Sequence, residues 1–216
     1  MKNFIQKTKL KQLFIILLLL TLFVFISAIS YVNAVSENIA NSVFRLHVIA
    51  NSNSTEDQNL KLKVRDTLLS YMNSLIDNNT SKDDAINLAI KYKDDFKKIA
   101  QNVIEENGFN YDVEVEIGPS SFPTKYYGDI TLPAGIYDAL KVRIGKASGE
   151  NWWCVMFPPL CFVDVSSGII PESSKEEIKK NLNNEEYELI SKKNNSQISF
   201  KFKLVEFFQN FRLGNK

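Results

Sequence analysis

Histidine and cysteine are scarce here: 216 residues carry one histidine, His47, and two cysteines, Cys154 and Cys161. No pair of histidines at metal-ligand spacing exists, and neither a glycine-rich phosphate loop nor a nucleophile elbow occurs anywhere in the chain. No cofactor or metal site is therefore expected. Internal repeats and low-complexity linkers are also missing from residues 43–206. Acidic residues are absent from the start of the chain, where Lys2, Lys7, Lys9 and Lys11 all precede the first one, Glu37. The remaining 22 basic residues face 25 acidic ones, a balance of −3, and no clustered basic face suited to nucleic acid results.

What is present begins with an address. Residues 13–32 carry no charge, and as a helix they reach about 30 Å, enough to cross the hydrocarbon core of a bilayer. The preceding lysines hold the start of that helix on the cytoplasmic side. The small-residue site Val32-Asn33-Ala34 suits cleavage after Ala34, so residues 1–34 read as a signal peptide or, uncleaved, a membrane anchor. Residues 35–216 then form one exported domain. At 44% hydrophobic and 12% aromatic, the chain as a whole is globular.

The domain reads as α+β. Residues 43–50 form a strand, with Phe44, Leu46 and Val48 on one face and Arg45, His47 and Ile49 on the other. Ser54 and Asp57 make a weak capping box for a helix over residues 55–77, whose Leu60, Val64, Leu68, Met72 and Ile76 recur every fourth residue. Ser81 and Asp84 repeat the signature before a second helix of about 25 residues ending at Gly108. A strand over residues 111–117 places Asp112, Glu114 and Glu116 outward, a weak cation site because side chains along one strand face diverge. Residues 118–128 read as a loop. Strand 136–144 and the tryptophan strand that follows are expected to form an antiparallel hairpin across the turn at residues 145–149. A helix at residues 175–189, capped by Ser174 and Glu177, a last strand at 197–205 and an amphipathic end at 206–211, packed on the domain or on a membrane, complete the chain. The expected architecture is thus an N-terminal export or anchor helix, a mainly antiparallel sheet with two long amphipathic helices packed on it, and a C-terminal helix plus strand.

The organising stretch is Asn151-Trp-Trp-Cys-Val-Met-Phe-Pro-Pro-Leu-Cys-Phe162, which holds both tryptophans and both cysteines. Alternation puts Trp152, Cys154 and Met156 on one face and Trp153, Val155 and Phe157 on the other, both apolar. Pro158-Pro159 ends the strand. If the chain doubles back there, Cys154 and Cys161 face each other at disulfide distance, and so short a loop is worth roughly 2.5 kcal/mol. Buried free thiols and a catalytic cysteine working with His47 and an Asp or Asn are the other readings of the pair. His47 itself reads as a hydrogen-bonded structural residue before it reads as a general base. The 25 acidic residues offer too many pairs to single out a glycosidase site.

Several segments resemble the stage II sporulation protein R family: Phe44-Arg-Leu-His-Val-Ile-Ala-Asn-Ser52, Asp57-Gln58 with Leu60-Lys61 and Val64-Arg65-Asp66, Phe122-Pro-Thr-Lys125 with Tyr127-Gly128, Pro133-Ala-Gly135 with Tyr137, the whole block from Asn151 to Phe162, and Leu204-Val-Glu206. Where that family carries Ser-Asp-Ser, this chain carries Ser52-Asn53-Ser54. The resemblance implies a protein made in the forespore and exported into the space between forespore and mother cell. There it would act as a signal rather than an enzyme, activating a membrane-embedded aspartic protease, stage II sporulation protein GA, which processes pro-sigma-E. The resemblance supplies no catalytic residues. The excess of aromatics over what a small core needs points to Phe122, Lys125, Tyr127, Trp152, Trp153, Phe157 and Leu160 as receptor-contact residues. The competing expectation from another class is an exported envelope enzyme, either a cell-wall hydrolase or a cysteine-dependent transferase.

Overall fold

A computed structural model describes residues 2–77, 79–161, 170 and 172–191. The chain divides into a helical leader, residues 1–37, and a unit that starts at Asn38. Helix α1 (Lys2–Asn41) is continuous, and its stretch from Lys9 to Asn41 is long and apolar enough to cross a membrane. Its leucines, isoleucines and phenylalanines from Leu13 to Ile26 are all more than half exposed, as a lipid-facing or exported segment requires. Asn38 and Ile39 belong to the second unit. Ile39 is fully buried there, and Asn38 Nδ2 donates to Glu186 Oε1 at 2.7 Å.

The second unit is built on a four-stranded sheet of β1 (Phe44–Ile49), β2 (Val113–Phe122), β5 (Gly135–Ile144) and β6 (Asn151–Phe157), in the order β2-β5-β1-β6. A two-residue period sends Phe44, Leu46 and Val48 of β1, Val113 and Val115 of β2, and Leu140, Val142 and Ile144 of β5 to one face. Helices α2 (Thr55–Leu75), α3 (Lys82–Lys91) and α4 (Lys93–Glu106) pack on that face through Leu60, Val64, Leu68, Met72, Ala89, Phe96 and Ile104. The two capping residues act as the sequence requires: Ser54 Oγ accepts from the Asp57 N–H, and Ser81 with Asp84 makes a full capping box. The other face carries Arg45, His47, Tyr137 and Val155, all buried. Tyr127, from the hairpin of β3 (Lys125–Tyr127) and β4 (Ile130–Leu132), covers Arg45 there, and α6 (Asn184–Ser191) packs against β4.

Five expectations are corrected. Strands β5 and β6 are not a hairpin: β1 lies between them, parallel to β5 and antiparallel to β6. Residues 118–122 are not loop but the second half of β2, and Pro119 is tolerated because β2 is an edge strand; Lys125–Tyr127, read as part of the same loop, is strand β3. The second long helix is broken at Tyr92 into α3 and α4. A bulge where the β1 partner steps from Val155 to Phe157 turns Phe157 into the helix-covered core beside Phe44, away from Trp153. The helix expected over 175–189 is two short ones, α5 (Glu172–Lys180) and α6, and Ser174 lies inside α5, donating to the Pro159 carbonyl at 3.1 Å. The strand expected at 197–205 and the segment 206–211 lie outside the described residues.

A knot of hydrogen bonds ties the β1–α2 connection to the β5–β6 turn. The Asn51 side-chain oxygen accepts from the Lys146 N–H, its carbonyl accepts from Ser148, and Asn53 Oδ1 accepts from the Glu150 N–H at 2.6 Å. That last bond needs an acceptor oxygen, which an aspartate at this position would supply as this asparagine does. Ser52 Oγ and Asn51 Nδ2 donate to Asp57 at 2.6 and 2.8 Å. Burial alone would raise the Asp57 carboxyl, but these bonds and one from Tyr111 outweigh it and hold the group below its ordinary value.

Candidate functional site

Among the described residues strand β6 is one of the two edges of the sheet, and its two tryptophans stand on opposite faces. Each ring is covered by a cation. The Arg65 guanidinium of α2 lies 4.4 Å from the Trp152 ring centre, and Lys125 Nζ of β3 lies 4.4 Å from that of Trp153. The indole N–H of each ring is buried without an acceptor among the described residues. Between α2 and β3 runs a groove of about 560 Å³ with Asn151 to Cys154 among its lining residues. Helix α2 contributes Gln58, Lys61 and Leu62, the hairpin contributes Lys125 to Gly128, and Leu160 and Cys161 line it as well.

The edge itself is capped. Tyr127 Oη donates to the Trp153 carbonyl at 3.2 Å, and the Leu160 N–H donates to the Val155 carbonyl at 3.4 Å. The return of the chain that places Leu160 is fixed by a disulfide between Cys154 and Cys161, whose Cα atoms are 5.5 Å apart. Neither cysteine is then a thiolate, so the cysteine-dependent transferase loses its nucleophile.

Behind Tyr127 lies Arg45, fully buried. Its Nη2 donates to Tyr127 Oη at 2.6 Å, and its guanidinium sits 4.0 Å from the Phe122 ring and 4.6 Å from that of Tyr137. Nη1 has no partner. Burial drives the Tyr127 phenol above its ordinary value, with Arg45 pulling the other way. His47, next along the same face, stacks 5.7 Å from Trp153, and its Nε2 contacts Asn151 Oδ1 at 2.7 Å while its Nδ1 lies 3.4 Å from Ser120 Oγ. With the amide oxygen as acceptor, Nε2 carries the proton and Nδ1 accepts from the serine. Burial lowers the His47 pKa, and Lys141, Arg143 and Arg45 lower it further against the Asn151 bond. The ring is neutral at pH 7.

Of the seven residues expected to contact a receptor, the structure gathers Lys125, Tyr127, Trp152, Trp153 and Leu160 around one groove. It places Phe122 beneath Arg45 and Phe157 in the helix-covered core, both buried. Sequence reasoning missed Lys61 and Arg45. Lys61 follows Leu60 on α2 and lies outside the every-fourth-residue stripe of that helix, although its place one turn after Asp57 signals the buried side. On β2, Glu116 and Glu114 lie 2.8 and 3.4 Å from Arg143 Nη1, so this outward acidic row faces a cation of the protein itself.

Residues 40–167 match the sequence model of the family described as Stage II sporulation protein R. That stretch is more than half of the chain and includes every residue of the groove. The chain belongs to the stage II sporulation protein R family. A curated member, the Stage II sporulation protein R of Bacillus subtilis (strain 168), is 38% identical over 144 residues, which is 66% of this chain and 64% of that relative's length. No solved structure matches the chain. The stretch that defines stage II sporulation protein R thus takes in the sheet, helices α2–α4 and the bonded cysteine pair.

Proposed function

We propose that this protein is an exported sporulation signal, made in the forespore, that acts from the space between forespore and mother cell. Its target in this reading is the membrane-embedded aspartic protease that processes pro-sigma-E, stage II sporulation protein GA. It works by contact and performs no catalysis of its own. The observation that carries the reading is the groove on β6, where both tryptophans of the chain stand partly exposed, each under a cation, within the family-defining residues. Half-buried tryptophans ringed by polar groups are the residues on which protein partners anchor. The N-terminal apolar helix and the disulfide suit an exported protein.

The test is pro-sigma-E processing in sporulating cells that carry Trp153→Ala or Lys125→Ala in place of the parent chain. Loss of processing by variants that are exported and folded supports contact, and normal processing by both refutes it. Adding purified residues 35–216 to membranes that hold the protease and its pro-protein reads the same contact directly. Cleavage is the expected result.

One observation favours a second, enzymatic reading: Ser120, His47 and Asn151 follow one another as hydroxyl, imidazole and amide, the order of a nucleophile, its base and an orienting group. Ser120→Ala separates the two readings. A signal retains its processing activity with this serine removed, whereas a hydrolase loses it.

A further inference from the structure

Among the described residues three cationic side chains of the domain are buried: Arg45, Lys61 and Lys82, at 0, 3 and 8% exposure. Buried charges are ordinarily matched by an opposite charge, because desolvation without one costs several kcal/mol. Lys82 obeys the rule, with Asp138 Oδ2 2.8 Å from its Nζ. Arg45 and Lys61 do not: among the described residues neither lies within ion-pair distance of a carboxylate. Lys61 Nζ is held by Gln58 Oε1 and by the backbone carbonyl of Glu150 at 3.1 Å, and burial lowers its pKa.

Both unmatched cations belong to the same place. Lys61 lines the groove, and Arg45 is one hydroxyl behind it, through Tyr127. Lys125 lines the opposite wall and likewise has no carboxylate partner among the described residues. The lining residues hold one carboxylate, on exposed Glu150, whose backbone carbonyl accepts from Lys61 and whose charge acts on Lys61 from beyond ion-pair distance. The groove is thus positive on a domain whose balance is −3, and its remaining surface is aromatic: Trp152, Trp153, and Tyr126, which is 75% exposed. Because the strand edge is capped by Tyr127 and Leu160, an occupant binds through side chains in the groove and not by extending the sheet.

We propose that the groove receives an acidic, apolar peptide segment of a partner protein, with its carboxylates set against Lys61 and Lys125 and its apolar side chains against the two tryptophans. The inference rests on the contact reading above and gives that contact its chemistry.

Because the chain's two tryptophans both line the groove, their emission reports occupancy. The full chain in nanodiscs of zwitterionic lipid is titrated with an acetylated, amidated hexapeptide alternating Glu and Leu, and with its Gln–Leu and Lys–Leu counterparts. The Glu–Leu peptide is expected to shift the emission saturably. The Gln–Leu peptide should bind about tenfold more weakly, and the Lys–Leu peptide not at all. Lys125→Glu should reverse the preference toward the Lys–Leu peptide; Lys125 is half-exposed, so folding survives the change, as far-UV circular dichroism checks. Equal binding of the Glu and Gln peptides, an unreversed preference in Lys125→Glu, or no emission change with any peptide overturns the inference. Processing in sporulating cells separates the two claims. If the Glu–Leu peptide binds and Lys125→Glu still supports normal processing, the acidic-segment inference stands and the protease-contact reading fails. If no peptide binds and Lys125→Glu abolishes processing, the reverse holds.

Discussion

His47 and Asp57 make stability depend on pH in two separate windows. The folded-state pKa of His47 lies below the ordinary 6.5, so the unfolded chain takes up the proton first. Stability is therefore expected to fall as pH drops below about 6.5, and His47→Gln should flatten that part of the profile. The Asp57 carboxyl lies below its ordinary 3.8, so its contribution is present above that value and is lost as pH falls through the folded pKa; Asp57→Asn removes it. Urea midpoints measured from pH 7 to pH 3 resolve the two. Arg45 gives a residue-level contrast of another kind. Arg45→Met retains the volume and discards an unmatched buried charge, so its urea midpoint is expected to equal or exceed that of the parent. Arg45→Ala leaves a void among Phe122, Tyr127 and Tyr137 and should cost about 2–4 kcal/mol. Gly149 is confined by the chain itself: a Cβ there would come within 2.2 Å of the Ser52 carbonyl oxygen, and Gly149→Ala should cost about 1–3 kcal/mol in the same assay.

At the scale of elements, what could be read from the sequence was what is local. Helix α2 and both serine caps were legible because a cap and its third residue lie within one turn of chain, and the apolar stripe of α2 repeats within itself. Strand pairing was not. Adjacent β5 and β6 looked like a hairpin, and nothing within residues 135–157 announces that β1, some 90 residues earlier, lies between them. The proline at 119 suggested a loop because its tolerance depends on β2 being at an edge, a property of the whole sheet. The site was half legible for the same reason: the tryptophans and Lys125 stand out as residue types, whereas Lys61 and Arg45 matter through burial that alternation alone does not reveal. The Cys154–Cys161 bridge belongs to this scale as well. It closes a short loop under β6, and by loop entropy its removal in a Cys154→Ala, Cys161→Ala double variant should lower stability by roughly 2.5 kcal/mol, measured as a fall in urea midpoint.

For the whole molecule, the dominant asymmetry is between the first 34 residues, with four lysines and no acid, and a remainder with an acidic excess. Exchanging Lys2, Lys7, Lys9 and Lys11 for glutamate removes the charge bias that orients α1, and the fraction of domain reached by external protease in intact cells is expected to drop. The capped edge of β6 carries a consequence for a copy left behind. In a reducing cytosol the bridge that fixes the turn after Phe157 opens, the Leu160 donor is no longer held on Val155, and the Val155 end of the strand edge becomes available to other chains. Reduced molecules should then clump, which light scattering after addition of a thiol reductant would register, so that the bridge guards the domain against self-association.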